Sequence, residues 1–280
     1  MHDAVATVAV NKAETIAALL RRATPALTER RLLLAHALNL TAVQVITGSE
    51  QILTAEQVQR VTHLFARRDA GEPIAYLTGT REFFGLAFEV SSAVLIPRPE
   101  TELLVELAVE RLPRQGRLLD LGTGSGAIAV AVALTRRDAS VTALDSSAAA
   151  LCVARRNTAA HAVQVDLLQS DWYDALVTQR FDVIVANPPY IVANDPHLTQ
   201  GDLRFEPIDA LTDHGDGLSA LRKIIAGAAR HLQPGGWVLM EHGFDQAVAV
   251  RALLAQQPLT EIRSWRDLAG HERVTGARLA

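Results

Sequence analysis

The tetrapeptide Asn187-Pro188-Pro189-Tyr190 has the residue types and order that point most directly to chemistry. The Asn187 side chain and the Pro188 backbone each offer a carbonyl acceptor, and the two prolines fix φ and lack N–H donors, which stiffens the loop. Two such acceptors can hold both hydrogens of a substrate –NH2 group, while Tyr190 packs against the flat group that carries the nitrogen. The pattern indicates a planar nitrogen nucleophile. The alternative is an exposed polyproline II ligand for a binding module.

A glycine-rich segment elsewhere in the chain is suited to binding a ligand with its backbone. Its residues are Gly122, Thr123, Gly124, Ser125 and Gly126. The segment lies between an apolar run of strand type, Arg117–Leu121, and a helical run that begins at Ala127, so free amides and a positive helix end face its ligand. Asp145 ends the next predicted strand, where it can accept hydrogen bonds from ribose hydroxyls. An adenosine-containing cofactor fits both features, whereas the alternative is a structural glycine turn with Asp145 as a helix cap.

The elements that must position these residues alternate between strand-like and helical runs from about residue 117 onward. Predicted strands cover residues 117–121, 141–145, 162–168, 181–186, 237–241, 261–265 and 273–279. Alternation of this kind predicts an α/β fold with a parallel sheet covered on both faces. Only a loop separates the last two strands, which permits an antiparallel pair. Because ligands bind at the carboxyl ends of strands in such sheets, the Asn187 loop and the glycine loop are expected to share one crevice.

The first part of the chain has a helical pattern. We expect a first helix that begins at Asn11, with Glu14 as its capping partner, and a later one that begins at Thr54, with Gln57 in the same role. Glycine and proline punctuation followed by alternating apolar residues predicts a short hairpin before residue 90. The sequence therefore predicts a helical substrate-recognition domain over residues 1–70, a linker with a β-hairpin over 71–95 and a catalytic domain over 96–280.

Composition excludes several classes of protein. The chain has 280 residues, of which 49% are hydrophobic and 21% charged, so it can bury a large core and is not disordered. A formal net charge of -4 disfavours direct nucleic-acid binding, which needs a broad basic surface. The only cysteine, Cys152, is expected to be buried, and a single thiol suits the cytoplasm. The histidines show no paired metal spacing, and no apolar run suggests a membrane span, so neither a metal nor a membrane role is expected.

The segment from Asp120 to Gly126 resembles motif I of the S-adenosylmethionine-dependent methyltransferases, E/D-x-G-x-G-x-G. The resemblance implies a Rossmann-like class I fold, with a mixed seven-stranded sheet whose last strand is antiparallel. It also implies that Asp120 helps to hold the methionine amino group, that the glycine loop follows the methionyl and ribose parts, and that Asp145 binds the ribose. Asp171 and Trp172 would accept the adenine amine and stack on its ring, although a surface acid beside a core tryptophan is an equally open interpretation.

The chain as a whole resembles the release factor glutamine methyltransferases, the PrmC/HemK family. Besides the two loops, the matching stretches are Gly71–Gly79, Leu95–Thr101, Arg204–Pro207 and Glu241–Gly243. The resemblance implies transfer of a methyl group from S-adenosylmethionine to the glutamine amide nitrogen in the Gly-Gly-Gln motif of peptide-chain release factors. The family's glutamine contacts fall on Asn187, Pro188 and Tyr190. The resemblance also favours Ile96–Thr101 as an active-site wall over a structural entry loop.

Two other functions remain open from the residues. Adenine-specific DNA and RNA methyltransferases also carry N/D-P-P-Y/F loops, because an exocyclic adenine amine is likewise a flat –NH2 group. The acidic excess after residue 82 disfavours this alternative. A cofactor-binding adaptor without catalytic activity is the other alternative. The glycine loop and the Asn187–Tyr190 loop together disfavour it.

Overall fold

The computed structural model describes residues 14–280, and the chain divides into two compact units between Thr78 and Gly79. In the first unit, residues 14–78 form five helices. They are α1 (Ile16–Leu20), α2 (Leu27–Leu38), α3 (Ala42–Thr47), α4 (Ala55–Asp69) and α5 (Ile74–Thr78). Its core is a cluster of aliphatic side chains with Phe65, and each such side chain contributes about 1.5 to 3 kcal/mol on full burial.

Side-chain caps set where these helices begin. The predicted start of α4 is confirmed, since Thr54 accepts from the Gln57 amide and the Gln57 side chain accepts from the Thr54 amide. An equivalent box at Thr41, which the sequence analysis missed, starts α3. The predicted cap Asn11 lies outside the described residues; α1 begins at Ile16, where the Thr15 hydroxyl accepts from the amide of Ala18.

Helix α5 occupies part of the segment that the sequence analysis assigned to a linker. The Pro73 carbonyl accepts from the amides of Tyr76 and Leu77, which closes a first helical turn despite the flanking glycines. Leu77 is buried in the core of the first unit, and α5 contacts α2 and α4. Burial of Leu77 against the other helices explains why this short segment is ordered as a helix.

The second unit opens with the predicted hairpin, formed by β1 (Thr80–Phe83) and β2 (Leu86–Glu89). Phe84 and Gly85 form its two-residue turn, and both have positive φ, 54° and 72°, as the twist of such a hairpin requires. Phe83 and Phe88 pack edge to face, with ring centroids 6.0 Å apart, and both are fully buried. The hairpin is therefore part of the core of this unit.

A seven-stranded mixed sheet forms the centre of the second unit. Its strands are β3 (Arg117–Leu121), β4 (Ser140–Asp145), β5 (Asp166–Gln169), β6 (Phe181–Ala186), β7 (Leu232–Glu241), β8 (Leu259–Arg266) and β9 (Glu272–Leu279). The strand order is β5-β4-β3-β6-β7-β9-β8, and β9 runs antiparallel to both neighbours. This confirms the predicted class I methyltransferase fold with an antiparallel last strand.

The helices of this unit cover both faces of the sheet. They are α6 (Glu102–Arg111), α7 (Ala127–Thr135), α8 (Ala148–Ala160), α9 (Ile208–Leu211), α10 (Ser219–His231) and α11 (Ala247–Leu254). Leu118 of β3 packs in one hydrophobic cluster with α6 and α7, while Leu119 and Leu121 pack in the other with α10 and α11. Burial on both faces explains why the strands are continuous apolar runs.

The edge strand β5 differs from its predicted range of 162–168. Ala162 has φ of 51° in the turn that follows α8, and pairing starts only at Asp166, opposite Thr142. Since β5 has a strand partner on one side only, fewer ladder bonds extend it. Cys152 is also placed differently from the prediction, because it lies on the exposed face of α8.

Membrane spans and metal sites are two further features to consider in the part of the chain from residue 14 onward. No helix in this part is long and apolar enough to cross a membrane. Over the same residues, no group of three or more His, Cys, Asp and Glu side chains is placed to hold a metal ion.

Candidate active site

The glycine loop and the Asn187 loop lie side by side because their preceding strands are neighbours. Leu121, the last residue of β3, is paired with Ala186, the last residue of β6. Helix-containing connections leave these two strands toward opposite edges of the sheet, so the crevice lies at the topological switch point.

A cavity of about 430 Å³ opens at this point, and most of the predicted site residues line it. These are Gly122, Thr123, Gly124, Ser125, Asp145, Asp171, Trp172, Asn187 and Pro189. The remaining four, Asp120, Gly126, Pro188 and Tyr190, lie outside the lining. Of these, Asp120, Gly126 and Pro188 are buried.

Backbone conformation gives the glycine loop its shape. Gly122, Gly124 and Gly126 have φ of 74°, 56° and 82°, a region that side chains rarely adopt. At Gly126 a Cβ atom would also lie 3.2 Å from the Cβ of Ala154, so the loop packs tightly on α8. A Cβ at Gly124 would meet nothing within 4 Å, since that residue faces the cavity. The loop is thus packed tightly against α8 at Gly126 and is open to the cavity at Gly124.

The Asp120 carboxyl is fully buried at the end of β3 beneath the loop. The Thr123 hydroxyl donates to Oδ2 at 2.6 Å, while Oδ1 is buried without a hydrogen-bond partner. Burial raises the pKa of Asp120 to about 7. The Thr123 hydrogen bond opposes this rise, and the charge of Asp145 adds to it. A buried carboxyl with one unsatisfied oxygen is suited to a cationic or N–H-bearing ligand group.

Asp145 closes the loop from the neighbouring strand. Its Oδ2 accepts from the Gly124 amide at 2.8 Å, and its Oδ1 accepts from the Ser147 amide at 2.9 Å. Burial raises the pKa of this carboxyl. Each carboxylate oxygen has further lone pairs, so the cavity side of Asp145 can accept from ligand hydroxyls.

Trp172 and Asp171 stand at the end of the cavity beyond β5. The Trp172 ring packs over the glycine loop, because a Cβ at Gly122 would lie 3.7 Å from its Cζ3. The Ser170 hydroxyl donates to the Trp172 carbonyl at 2.9 Å and holds this turn. The exposed carboxylate of Asp171 lies 3.8 Å from the ammonium of Lys223. The geometry offers one flat apolar wall and one acceptor.

The side chain of Asn187 is held in one orientation at the cavity wall. Its Nδ2 donates to the Thr101 hydroxyl at 3.1 Å, which leaves Oδ1 as the acceptor available to a ligand. Tyr190 is anchored at both ends, since its carbonyl accepts from Gln246 Nε2 at 3.0 Å and its hydroxyl donates to Glu241 Oε1 at 3.4 Å. Burial raises the pKa of the Tyr190 hydroxyl, so it remains protonated.

Thr101 and Glu241 were not among the predicted site residues, although Thr101 ends the predicted wall segment. Both are buried, and both lie within stretches that matched the family, Leu95–Thr101 and Glu241–Gly243. Burial raises the pKa of Glu241 to about 7, against hydrogen bonding from the Thr101 hydroxyl and the charge of Arg273. A family match was the only sequence signal for them, because their contacts with the Asn187 loop join distant parts of the chain.

The Ile96–Thr101 segment is a wall of the cavity, as the resemblance favoured, since Pro97, Arg98 and Thr101 line it. Glu206 joins it to the segment 191–217, because its carboxyl accepts from the Ile96 amide at 3.0 Å and pairs with Arg98. Pro207, which follows Glu206, also lines the cavity. The segment after the Asn187 loop is therefore tied down as a cover.

Comparisons with known proteins agree with the fold. Residues 14–79 match the family model described as PrmC N-terminal domain, and residues 99–202 match the one described as Methyltransferase small domain. A methyltransferase of known structure from Pyrococcus furiosus shares the fold, with a TM-score of 0.54 and 21% identity over 76% of this chain and 95% of that one.

Curated relatives cover nearly the whole chain. The release factor glutamine methyltransferase of Burkholderia pseudomallei is 53% identical over 274 residues, or 95% of this chain and 96% of that protein. The protein of the same name from Escherichia coli K12 is 45% identical over 252 residues, or 89% and 91%. With such identity over such lengths, this chain belongs to the release factor glutamine methyltransferase family.

Proposed function

We propose that this protein transfers a methyl group from S-adenosyl-L-methionine to the side-chain amide nitrogen of the glutamine in the Gly-Gly-Gln motif of peptide-chain release factors, in the cytoplasm. The products are the N-methylated glutamine, S-adenosyl-L-homocysteine and a proton, which leaves the amide nitrogen after methyl transfer. The observation that carries this proposal is the fixed amide of Asn187, whose nitrogen is bound to Thr101 and whose oxygen is left to accept from a substrate –NH2 group at the cavity wall.

The residues of the cavity fit the methyl donor. The unpartnered Asp120 Oδ1 is suited to the methionine amino group, Gly122–Gly126 to the methionyl and ribose parts, and Asp145 to the ribose hydroxyls. Asp171 and Trp172 line the same cavity and would bind adenine. When bound, S-adenosyl-L-methionine supplies a methyl carbon on a positively charged sulfur, which is open to in-line displacement.

The Asn187 loop would act on the acceptor by orientation. Asn187 Oδ1 and the Pro188 carbonyl each accept one N–H of the glutamine amide, while Pro189 stiffens the loop and Tyr190 packs against the flat carboxamide. An amide nitrogen is a weak nucleophile because its lone pair is delocalised. Holding both of its hydrogens favours the geometry in which that pair faces the methyl carbon, and positioning of this kind supplies about 7 to 11 kcal/mol in favourable cases.

The relatives' names and the chain's negative charge favour a protein acceptor over adenine in a nucleic acid. Both acceptors present a flat –NH2 group, so the acceptor must be tested directly. Purified protein is incubated with methyl-labelled S-adenosyl-L-methionine and one of three acceptors: a release factor, its Gly-Gly-Gln variant with alanine for glutamine, or DNA. We expect label in the unaltered release factor alone. Label in DNA, or equal label in both release factors, would refute the proposal.

A further inference from the structure

We propose that Thr101 and Glu241 are positioning residues that fix which way the Asn187 amide faces. The role rests on the proposed binding of a glutamine amide by Asn187. It adds a hydrogen-bond chain that runs from the end of β7 through Thr101 to the Asn187 loop.

Three separate elements supply the members of this chain. Thr101 ends a short 3-10 helix, Pro99–Thr101, and is 4% exposed. Its hydroxyl accepts from Asn187 Nδ2 at 3.1 Å. It also lies close enough to Glu241 for its hydrogen-bonding capacity to lower the pKa of that carboxyl against the effect of burial. Glu241 ends β7 and is 1% exposed, so water does not compete for these contacts.

The direction of the chain follows from the chemistry of its members. An ionised carboxylate only accepts hydrogen bonds, so the Thr101 hydroxyl must donate its one hydrogen to Glu241. Thr101 then has only lone pairs to offer to Asn187, and only the –NH2 end of the Asn187 amide can bind them. The amide oxygen therefore faces the other way, toward the substrate.

Without Glu241, the Thr101 hydroxyl can donate to Asn187 instead, and the amide is free to turn over. A turned amide presents –NH2 to the –NH2 of the substrate glutamine, so a hydrogen bond is lost and two donors face each other. The Glu241 carboxylate prevents this by fixing Thr101 as an acceptor. It also accepts from the Tyr190 hydroxyl at 3.4 Å, so the orientations of Asn187 and Tyr190 both depend on one buried acid.

The sharpest test compares two substitutions of Thr101. Thr101→Val keeps the shape and removes the hydroxyl, while Thr101→Ser keeps the hydroxyl. At pH 8, with a release factor as acceptor, we expect Thr101→Val to lower kcat by up to about 100-fold and Thr101→Ser to restore most of the rate. Thr275→Val is the matched control, because it removes an equally buried threonine hydroxyl in β9 that bonds His242. It should leave kcat unchanged.

Glu241→Gln tests the direction of the chain. Its new –NH2 group is buried and needs an acceptor. The Thr101 and Tyr190 hydroxyl oxygens are the candidates, because these two groups interact with the Glu241 carboxyl. Donation to Thr101 would reverse the chain, so we expect kcat to fall in this variant and no further in the double variant with Thr101→Val. Two independent, additive losses would refute the shared pathway.

A second measurement is independent of methyl transfer. In ¹⁵N-labelled protein, the side-chain amide of Asn187 is assigned by its loss in Asn187→Asp. We expect slow exchange of its protons with water in the parent and in Thr101→Ser, and faster exchange in Thr101→Val and Glu241→Gln. Unchanged exchange or an unchanged kcat in Thr101→Val refutes the positioning role. Failure of the parent to methylate a release factor refutes the proposed function, and the exchange measurement still decides the role of Thr101.

Discussion

The two loops that meet at the cavity are built in opposite ways. The glycine loop after β3 has three residues with positive φ and is held by its own backbone amides, two of which donate to the Leu144 carbonyl and one to Asp145. The Asn187 loop after β6 has two prolines and is held by side chains from distant elements, Thr101 and Glu241. One loop brings backbone close to a ligand, whereas the other aims a single side chain.

This difference predicts a division of labour between the two loops. Damage to the glycine loop and its acids should weaken binding of the methyl donor and leave the chemistry of a saturated site almost intact. Damage to the Asn187 loop should do the reverse, because its contacts are with the acceptor. Each of the substitutions below is expected to affect one side of this comparison.

The largest effect is expected from Asn187→Ala. Loss of the carbonyl that holds the substrate amide should lower kcat by about 100- to 1,000-fold, the size seen when one oriented hydrogen-bond partner is removed from an active site. Affinity for S-adenosyl-L-homocysteine, measured by calorimetry, should stay close to that of the parent. A comparable loss of that affinity would contradict the division between the loops.

Asp145→Ala should have the next largest effect, on the other loop. Loss of a charged acceptor for the ribose should weaken S-adenosyl-L-homocysteine binding by about 10- to 100-fold, since hydrogen bonds to charged groups contribute about 1.5 to 3 kcal/mol. The methyl transfer rate at saturating donor should change little. Asp138→Ala is the control, because that aspartate pairs with Arg136 away from the cavity lining. Unchanged affinity in Asp145→Ala would count against its ribose role.

Two alanine substitutions separate the packing role of Gly126 from the ligand-binding role of Gly124 within the glycine loop. Gly126→Ala should lower the free energy of unfolding by about 2 kcal/mol, because the left-handed conformation costs about 1 to 2 kcal/mol and its Cβ meets Ala154. Gly124→Ala has only the conformational cost, but its Cβ enters the cavity, so donor affinity should fall more than stability does. Denaturant unfolding measures the stability of both variants, and calorimetry measures their donor affinity. A larger loss of stability in Gly124→Ala, or a larger loss of affinity in Gly126→Ala, would contradict this assignment.

The smallest effect is a dependence of stability on pH that comes from Asp120. Its pKa of about 7 lies above the ordinary value, so the folded state holds this proton more tightly than the unfolded chain does. The protonated carboxyl therefore stabilises the folded state at pH values below its ordinary pKa. This contribution is lost as the pH rises from there through about 7. Asp120→Asn should therefore raise the free energy of unfolding at pH 8, by on the order of 1 to 2 kcal/mol, with little change near pH 4. An equal effect at both pH values would contradict this origin.

Much of the fold could be predicted because local signals agree with tertiary structure. Strand β3 has the predicted bounds, and the Thr54 box starts α4 where expected. Errors occurred where tertiary contacts override the local pattern. Burial of Leu77 orders a helix in the predicted linker, and an apolar neighbourhood did not reveal that Cys152 lies on the exposed face of α8.

The candidate site was predictable only in part, for a related reason. The lining residues of the glycine loop follow a contiguous motif, which sequence displays directly. Thr101 and Glu241 act through contacts that join segments 86 and 51 residues apart, which no local pattern displays. The same holds for the pair of Glu206 with Arg98, which ties the cover to the cavity wall.

The central claim is that Asn187 Oδ1 holds the amide nitrogen of a glutamine beside the methyl donor site. A crystal structure of the protein with S-adenosyl-L-homocysteine and a release factor tests it most directly. We expect the glutamine Nε2 of the Gly-Gly-Gln motif about 3 Å from Asn187 Oδ1, at hydrogen-bond distance. A complex in which Asn187 faces solvent, or in which that glutamine lies outside the cavity, would contradict the account.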